Sequence, residues 1–292
     1  MLSGTEIWIQ KPIKPSGFAD LHIHTNLSDG NFSVKEIIEM STKKKVRCIS
    51  ITDHDNIDSY FQGKKLAAEH DLELIPGVEI SSVHQGRDIH ILGYFFDPTN
   101  LSLNLELQEL TKQRHIRVKA IIKKLNSLGV EISYNKVLSF CKGKVIGRPH
   151  IALAMLAEEL VGSFGEAFQK YLGEGAAAFV EKNGISPQET VKLIENAGGV
   201  AVMAHPYKTN ADELIPSLVE AGLKGIEVYS PGQKGAIRRK YRSIARRYNL
   251  VGTGGSDYHS TQSPVAINGL RMPYAVVEEL RNRREKSHAE RF

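Results

Sequence analysis

Histidine and carboxylate residues recur in this chain where apolar segments end. His22 and His24 lie in the segment Asp20–His24, and because side chains alternate along a strand they point to one face, with Leu21 and Ile23 on the other. Two imidazoles at this spacing can bind a metal ion, and two polar positions on a half-exposed strand would give the same pattern.

Seven similar residues follow other apolar segments: Asp29, His54, Glu79, His90, His205, Asp257 and His259. In an α/β barrel the carboxyl ends of parallel strands meet on one face, so we expect all nine side chains to meet there. Nine ligands exceed the about four that one zinc ion takes, which predicts two or three ions. Imidazole and carboxylate ligands without thiolate suit manganese, zinc or iron, and paired ions are typical of phosphoester hydrolysis.

The elements that must position these residues alternate between strands and helices, which predicts an α/β fold with parallel βα units. The predicted strands are Phe18–Ile23, Arg47–Ile51, Leu72–Ile75, Ile89–Phe96, Gly199–Ala204, Gly225–Val228 and Leu250–Gly254. Ser33 with Glu36, and Ser186 with Glu189, form capping boxes that predict helix starts. About seven strands are close to the number of a closed barrel.

A helical pattern interrupts this alternation between residues 97 and 184. We therefore predict a barrel domain built from residues 17–96 and 185–275, with an inserted helical cap subdomain at 97–184. The charged segment 276–292 is expected to form a flexible tail.

Composition limits the class of protein. The chain has 292 residues, of which 41% are hydrophobic and 24% charged, as expected for a globular protein. It has no run of 18 apolar residues and no apolar secretory core at its start, so no membrane association is expected. The two cysteines exclude a disulfide framework and a cysteine zinc site, and suit a reducing cytoplasm. The net charge of +5 favours anionic substrates, and nothing implies an obligatory protein partner.

Across residues 18–260 the motifs resemble those of the PHP (polymerase and histidinol phosphatase) family. The matching segments are Asp20–Thr25, Ser28–Gly30, Ile51–Asp55, Gly77–Ser81, His90, His205-Pro206 and Gly255–His259. The resemblance implies a distorted seven-stranded (βα) barrel with a trinuclear metal site. It also implies Mn²⁺ as the metal, with Zn²⁺ or Fe²⁺ as alternatives, and a hydroxide between two ions as the nucleophile.

The resemblance also implies which residues hold each ion. The first ion would be held by His22, His24, Glu79 and Asp257, and the second by Asp29, His54 and His259. Glu79 would bridge to a third ion, held with His90 and His205.

The segment Gly147–Ala152 resembles the GRPH segment of PHP enzymes in the nucleoside 3′,5′-bisphosphate phosphatase and RNase AM subfamily. Pro149 suits the first helical position, which would place Gly147 and Arg148 at a helix N-terminus that favours a phosphate. An ordinary proline-initiated helix with a solvated Arg148 is the alternative. Lys208 is a second candidate cation for phosphate, at a position where relatives often carry Arg.

Asp53 and Asp55 flank His54, and either could accept a hydrogen bond from a ligand imidazole; Asp53 could also transfer a proton during turnover. Basic residues at 112–124 and at 238–247 form either solvated helix faces or a path for RNA phosphates.

These features predict a metal-dependent hydrolase of phosphoric ester bonds. Its substrate would be a nucleoside 3′,5′-bisphosphate, a nucleotide phosphomonoester or the 5′ end of a short RNA, so both a phosphatase and an exonuclease are expected possibilities. A histidinol-phosphate phosphatase, and a non-catalytic nucleic-acid-binding module with structural metals, are the alternatives.

Overall fold

The computed structural model of the chain describes residues 17–289, and these form an α/β fold. The strands are β1 Phe18–Ile23, β2 Cys48–Ile51, β3 Glu73–Leu74, β4 Gly77–His84, β5 Arg87–Tyr94, β6 Val200–Met203, β7 Gly225–Tyr229, β8 Val251–Gly254 and β9 Met272–Pro273. The α-helices are α1 Val34–Lys43, α2 Asp58–Glu69, α3 Leu101–Ser127, α4 Tyr134–Leu138, α5 Arg148–Ala157, α6 Phe164–Ala167, α7 Pro187–Asn196, α8 Pro206–Thr209, α9 Ile215–Glu220, α10 Gly235–Arg247 and α11 Ala275–Ala289. A π-helical turn, Phe168–Leu172, follows α6, and a 3₁₀ turn, Asp212–Leu214, precedes α9.

Helix α1 begins where its capping box predicts. The Ser33 hydroxyl accepts a hydrogen bond from the Glu36 amide, and the Glu36 carboxylate accepts one from the Ser33 amide at 2.7 Å. Ser186 and Glu189 form the same reciprocal pair before α7. Both predicted helix starts are confirmed, because each pair satisfies amides that the first helical turn leaves unpaired.

The strands form two sheets rather than the predicted single barrel of seven parallel strands. One sheet has the order β3-β2-β1-β9 and the other the order β4-β5-β6-β7-β8. Strand β5 pairs antiparallel with both β4 and β6, which corrects the expectation of parallel βα units throughout.

The difference arises at a tight hairpin that the sequence prediction missed. Gln85 and Gly86 join β4 to β5 with φ values of 50° and 78°. Two consecutive residues with positive φ match the right-handed twist of a two-residue hairpin, so the chain returns immediately instead of crossing over through a helix.

The two sheets meet at two seams through backbone hydrogen bonds. At one seam the Asp55 amide donates to the Glu79 carbonyl at 3.0 Å. At the other, the His24 amide donates to the Tyr258 carbonyl at 2.9 Å and the Asp257 amide donates to the His22 carbonyl at 2.8 Å. The seams therefore hold the carboxyl ends of β1, β2 and β8 and the start of β4 at one edge of the fold.

Residues 97–184 contain helices α3 to α6 and an apolar cluster of their own, which includes Ile121, Leu125, Ile151, Met155 and Leu172. This cluster supports the predicted cap, although the division into domains stays a prediction. Among residues 17–289, no helix is both long enough and apolar enough to cross a bilayer. This includes α3, the longest helix at 27 residues.

The predicted flexible tail is helical as far as the structure describes it, and residues 290–292 lie outside the described residues. Val277 and Leu280 on α11 are fully buried against β-sheet residues such as Leu92 and Val251. The expectation is therefore corrected for residues 276–289. The apolar residues sit at helical spacing inside a charged segment, and the charges obscured them.

Leu280→Ala tests the docking of α11. We expect a loss of about 2–5 kcal/mol in the free energy of unfolding, because a buried leucine leaves both its transfer energy and a cavity behind. Urea denaturation followed by circular dichroism measures this loss. An unchanged transition midpoint would mean that the segment is a loose tail after all.

Candidate metal centre

All nine predicted ligands lie together at the edge where the sheets meet. They come from β1, the loop after it, the end of β2, β4, β5, the end of β6 and the turn after β8: His22, His24, Asp29, His54, Glu79, His90, His205, Asp257 and His259. Residues separated by more than 230 positions in the chain thus share one site. Seven of the nine lie at or after the carboxyl end of a strand, as the pattern predicts. Glu79 instead lies near the start of β4, and His90 lies inside the antiparallel strand β5.

The carboxylate of Glu79 lies at the centre of this group and is only 1% exposed. Its Oε2 atom lies 3.2 Å from a ring nitrogen of each of His22, His24 and His54. Its Oε1 atom lies 2.8 Å from Nδ1 of His90 and Nε2 of His205. One carboxylate therefore contacts five of the predicted ligand imidazoles, and its two oxygen atoms face different imidazoles.

The remaining carboxylates lie on the outer side of the group. Asp29 Oδ1 is 3.4 Å from His259 Nε2, and Asp29 Oδ2 is 3.7 Å from His54 Nε2. Asp257 Oδ1 is 3.5 Å from the Nε2 atoms of both His22 and His24.

Four overlapping groups have ligand atoms within 4.8 Å of one another: His24, Asp29, His54 and His259; His22, His24 and Asp257; His22, Glu79 and His205; and His54, Glu79 and His90. The first group contains the whole ligand set expected for the second ion, with His24 added. The second group is the set expected for the first ion without Glu79. The third-ion set is shared between the last two groups.

Several ligand atoms are buried without a hydrogen bond: His24 Nδ1, Asp29 Oδ1, His54 Nδ1 and His205 Nδ1. Buried polar atoms without partners cost free energy, and a cluster of four such atoms in a folded protein needs an explanation. Divalent cations coordinated by imidazole and carboxylate would satisfy them, so the donor set fits metal ions.

The imidazoles of the centre differ in pKa, and only a neutral imidazole can bind a metal ion. Burial lowers the pKa of His54 to about 3 and also lowers that of His205, so both rings are neutral. Burial alone would lower the pKa of His90, but the charges of Glu79 and Asp88 raise it to about 9. Against the same burial, Asp29 and Asp257 raise the pKa of His259 to about 9. In the metal-free protein, His90 and His259 are therefore protonated at neutral pH, whereas His54 and His205 are not.

The central carboxylate stays ionised. Burial would raise the pKa of Glu79, but the charges of His22 and His90 hold that pKa well below its usual range. A buried carboxylate among imidazoles is therefore stable as an anion, and it attracts cations into the centre.

Two further acids orient ligand imidazoles, and sequence reasoning missed both. Glu227 Oε1 lies 3.1 Å from His22 Nδ1, and Glu227 Oε2 accepts from the His205 amide at 2.6 Å. Asp88 Oδ1 lies 3.1 Å from His90 Nε2. Such partners fix the ring orientation of metal ligands. The sequence feature that could have indicated the role of Glu227 is its position as a lone acid inside the apolar strand β7.

The structure does not bring Asp53 to the ligand imidazoles, which corrects its expected role as their hydrogen-bond acceptor. One Asp53 oxygen accepts from the Thr25 amide at 2.7 Å and the Ser28 hydroxyl at 2.6 Å, and the other accepts from the Thr25 hydroxyl at 2.6 Å. Asp53 therefore holds the loop that carries Asp29. The Glu227 carboxylate takes the orienting role instead.

A cleft opens between the metal centre and the inserted helices. Its wall includes Asp29, His54 and His90 from the centre and the four basic residues Arg114, Arg117, Arg148 and Lys182 from the insertion. Arg114 and Arg117 belong to a basic segment for which a solvated helix face and an RNA path both stayed open, and the structure turns these two toward the cleft.

Two of the four cations are paired with acids from the sheet region. Arg114 Nε donates to Asp55 Oδ2 at 2.6 Å, and Lys182 Nζ lies 2.7 Å from Asp88 Oδ1. Asp55 therefore anchors α3 and does not orient an imidazole. These ion pairs fasten the insertion over the centre.

The other two cations contact no carboxylate among residues 17–289. Arg148 donates to the Leu172 carbonyl at 3.3 Å, and Arg117 donates to the Val180 carbonyl at 2.9 Å. Both guanidinium groups lie about 6 Å from the ring of Phe179. Burial and the neighbouring charge of Arg148 lower the pKa of Arg117 to about 10, so both arginines stay charged at neutral pH. Their uncompensated charge suits a phosphate.

Lys208 is placed differently from its predicted role. Its Nζ atom lies 2.7 Å from Asp257 Oδ2, so a predicted metal ligand holds the ammonium. His150 is buried, and its Nδ1 accepts a hydrogen bond from the Gly147 amide.

The PHP domain profile matches residues 20–242, which is most of the chain. The chain belongs to the PHP family. The family resemblance predicted from the motifs is thereby confirmed.

Two relatives of this PHP protein show the class of reaction. It is 34% identical over 245 residues to a 5′-3′ exoribonuclease of Haemophilus influenzae, covering 82% of this chain and 89% of that protein. It is 29% identical over 247 residues to a 3′,5′-nucleoside bisphosphate phosphatase of Chromobacterium violaceum, covering 82% of this chain and 87% of that protein. The predicted enzyme class, a hydrolase of phosphoric ester bonds, is confirmed.

A crystal structure of a metal-dependent phosphoesterase from Bifidobacterium adolescentis has the same fold. It superposes with a TM-score of 0.85 at 28% identity, covering 92% of this chain and 97% of that one. The PHP-like α/β fold is therefore shown, while the count of seven barrel strands is not.

Asp53→Asn separates a loop-holding role from a catalytic one in this PHP protein. We expect the free energy of unfolding to fall by about 1–3 kcal/mol, because an amide nitrogen cannot accept the hydrogen bonds that one carboxylate oxygen now accepts. Chemical denaturation measures the loss. A variant with wild-type stability and a much lower turnover would instead support proton transfer by Asp53.

Metal binding should release protons at neutral pH. His90 and His259, with pKa values of about 9, are protonated in the metal-free protein and must be neutral to coordinate an ion. Protons therefore compete with metal, and the apparent affinity for Mn²⁺ should fall as pH drops from 8 to 6. Titration calorimetry of chelator-treated protein in two buffers of different ionisation enthalpy counts the protons.

The control is the same titration at pH 10, where His90 and His259 are mostly neutral and their share of the proton release should be small. Equal heats in both buffers at pH 7 would contradict the expected protonation of these histidines.

Proposed function

We propose that the protein is a metal-dependent nucleotide phosphoesterase that hydrolyses nucleoside 3′,5′-bisphosphates or removes nucleotides from the 5′ end of short RNA. The observation that carries this proposal is one continuous cleft that joins the nine-ligand centre to Arg117 and Arg148. A substrate that fits both ends of this cleft needs two phosphate groups on one nucleoside.

The centre would hold two to three divalent ions, with Mn²⁺ as the first candidate and Zn²⁺ or Fe²⁺ as alternatives. His22, His24 and Asp257 would hold one ion, and Asp29, His54 and His259 another, with His90 and His205 completing the set. Glu79 would be shared between ions, as its contacts with five imidazoles suggest. Bound ions of this kind lower the pKa of water and neutralise charge on phosphoryl oxygens.

The chain's own residues would orient the substrate. Arg117 and Arg148 would bind the 5′-phosphate by charge-assisted hydrogen bonds. The apolar side chains of Val118, Ile121 and Phe168 also line this cleft, where they would contact the nucleoside. This orientation presents the 3′ phosphorus to the metal ligands.

One reaction then serves both kinds of substrate. A water oxygen bonds to the 3′ phosphorus, the O3′–P bond breaks, and O3′ takes up a proton. A bisphosphate gives a nucleoside 5′-phosphate and inorganic phosphate. RNA gives a 5′-nucleotide and a shortened strand that carries a new 5′-phosphate, which can enter the same cleft.

The remaining groups act through these residues. Glu227 and Asp88 fix the imidazoles of His22 and His90, and Lys182 holds Asp88 in place. The proposed compartment is the cytoplasm, since the free thiols of Cys48 and Cys141 suit a reducing environment. We propose no obligatory protein partner.

A substrate panel with and without Mn²⁺ tests the proposal together with two Arg148 variants. The panel contains a nucleoside 3′,5′-bisphosphate, the matching 3′-monophosphate, a 5′-monophosphate, histidinol phosphate and 5′-phosphorylated RNA. We expect Mn²⁺-dependent hydrolysis, with the highest kcat/KM for substrates that carry both phosphates. A preference for histidinol phosphate, or no hydrolysis of any compound, would refute the proposal.

Arg148→Ala should lower kcat/KM for the bisphosphate on the order of ten- to a hundredfold, because charge-assisted hydrogen bonds contribute roughly 1.5–3 kcal/mol each. Arg148→Lys should recover only part of this loss, since an ammonium lacks the planar fork. The metal content should not change, which elemental analysis checks. The 3′-monophosphate serves as the internal control: a loss as large on this substrate would place Arg148 elsewhere than at the 5′-phosphate.

A further inference from the structure

Helix α10 has a strongly basic surface that the phosphoesterase site does not use. Within 13 residues it carries six cations and no acid: Arg238, Arg239, Lys240, Arg242, Arg246 and Arg247. Within the described chain only Lys240 is paired with a carboxylate, that of Asp212. The other five charges are uncompensated, and such a surface attracts polyanions.

Three of these arginines form a stripe along one side of the helix. Arg238, Arg242 and Arg246 follow at intervals of four residues, so they lie on one face and are about 6 Å apart along the axis. Arg246 lines a groove shared with Arg283 of α11, in which Glu279 is the acid present. Regularly spaced cations match the repeating charge of a phosphate backbone.

The stripe begins at the carboxyl end of β7, beside Tyr229. The Arg242 guanidinium donates to the Tyr229 hydroxyl at 3.1 Å, and the Arg238 guanidinium lies 5.3 Å from the centre of the Tyr229 ring. Tyr229 belongs to the same edge of the fold as the metal ligands, because its carbonyl accepts from the Gly255 amide at 2.9 Å, two residues before Asp257.

Around the metal centre, solvent exposure is greatest at His259 and at Lys208, the partner of Asp257. The side chain of Asp29 is 14% exposed and that of His54 is 12% exposed, and both lie in the cleft under the insertion. By contrast, the His259 side chain is 31% exposed and that of Lys208 is 44% exposed. A chain that leaves the centre therefore has room on the side of α8 and the turn after β8.

On this side, called the open side below, α8 contacts the connection between β7 and α10. Tyr207, next to Lys208 on α8, donates its hydroxyl hydrogen bond to the Pro231 carbonyl. Pro231 belongs to the short connection between β7 and α10. Lys208, this connection and the arginine stripe thus form neighbouring parts of one surface.

We propose that the stripe formed by Tyr229, Arg238, Arg242 and Arg246 binds the backbone of single-stranded RNA on the 3′ side of the scissile bond. This inference rests on the proposed function, in which the 5′ nucleotide fills the cleft under the insertion. The rest of the strand leaves by the open side and its phosphates contact the arginines. Recognition is of charge and spacing, so it is independent of sequence.

Arg242→Gln/Arg246→Gln tests the stripe, with Lys64→Gln/Lys65→Gln as a control. The control removes the same charge from two exposed lysines on α2, which packs against α1 and β3 on the other sheet. The substrates are a nucleoside 3′,5′-bisphosphate and a 5′-phosphorylated RNA of about 12 nucleotides, and thermal unfolding verifies that both variants fold.

In the stripe variant we expect KM for the long RNA to rise roughly tenfold, as for two lost surface contacts with phosphate. Its kcat/KM for the bisphosphate should not change, and the control should match the wild type on both substrates. The slope of log affinity against log salt for a phosphorothioate 12-mer, measured by fluorescence anisotropy, should decrease in magnitude by about 1.4, because each phosphate contact contributes about 0.7.

An unchanged KM for the long RNA in the stripe variant would overturn the proposal. So would competition by polyglutamate as strong as that by the 12-mer, since the surface would then suit an acidic protein segment instead. A protein that hydrolyses no substrate but binds the 12-mer in a stripe-dependent way would refute the proposed function and retain the RNA surface.

Discussion

The contact of one buried carboxylate with five imidazoles is the constraint on which the rest of the structure depends. A charge as buried as that of Glu79 is stable only when cations or hydrogen-bond donors compensate it on every side. Two of its five partners lie on β1 and β5, and the other three follow the ends of β1, β2 and β6, so the two sheets must hold these segments within a few ångströms. The backbone hydrogen bonds at both seams provide that alignment. Each of them joins a ligand residue of one sheet to a ligand residue, or the neighbour of one, in the other sheet.

The same charge balance explains how the insertion is attached. Asp55 and Asp88 lie at the rim of the centre, and each is neutralised by a cation from the inserted segment, Arg114 or Lys182. The insertion therefore completes the electrostatics of the sheet region as well as covering it. Arg117 and Arg148 in the same cleft contact no carboxylate of the described residues. Their attraction for an anionic substrate is stronger there than at the surface, because the cleft reduces screening by solvent. The basic residues of the insertion thus serve two purposes: some attach the insertion to the sheet region, and the others would bind the substrate.

Much of this centre could be predicted from sequence because it depends on strand ends. His22 and His24 sit on one face of a strand with clear alternation, and five other ligands follow the carboxyl ends of strands. Glu79 and His90 lie within β4 and β5 of the hairpin. What could not be predicted depends on tertiary context. The Gln85-Gly86 hairpin reverses the chain where a helical crossover was expected, and Glu227 is visible only as an acid inside a strand. The cleft-facing roles of Arg117 and Lys182 need the insertion folded over the sheet, and nothing local in the sequence specifies that.

The asymmetry of the site has a consequence for the direction of reaction. Under the proposed orientation, the cleft under the insertion would hold one terminal nucleotide with its 5′-phosphate beside Arg117 and Arg148. The side toward His259 and Lys208 is open and can accept a strand of any length. A substrate with a free 5′ end can therefore enter, whereas an internal segment of a long strand would have to pass under the insertion. A single nucleoside bisphosphate would lie within the cleft under the insertion, so phosphatase and exonuclease activity would differ only in what extends through the open side.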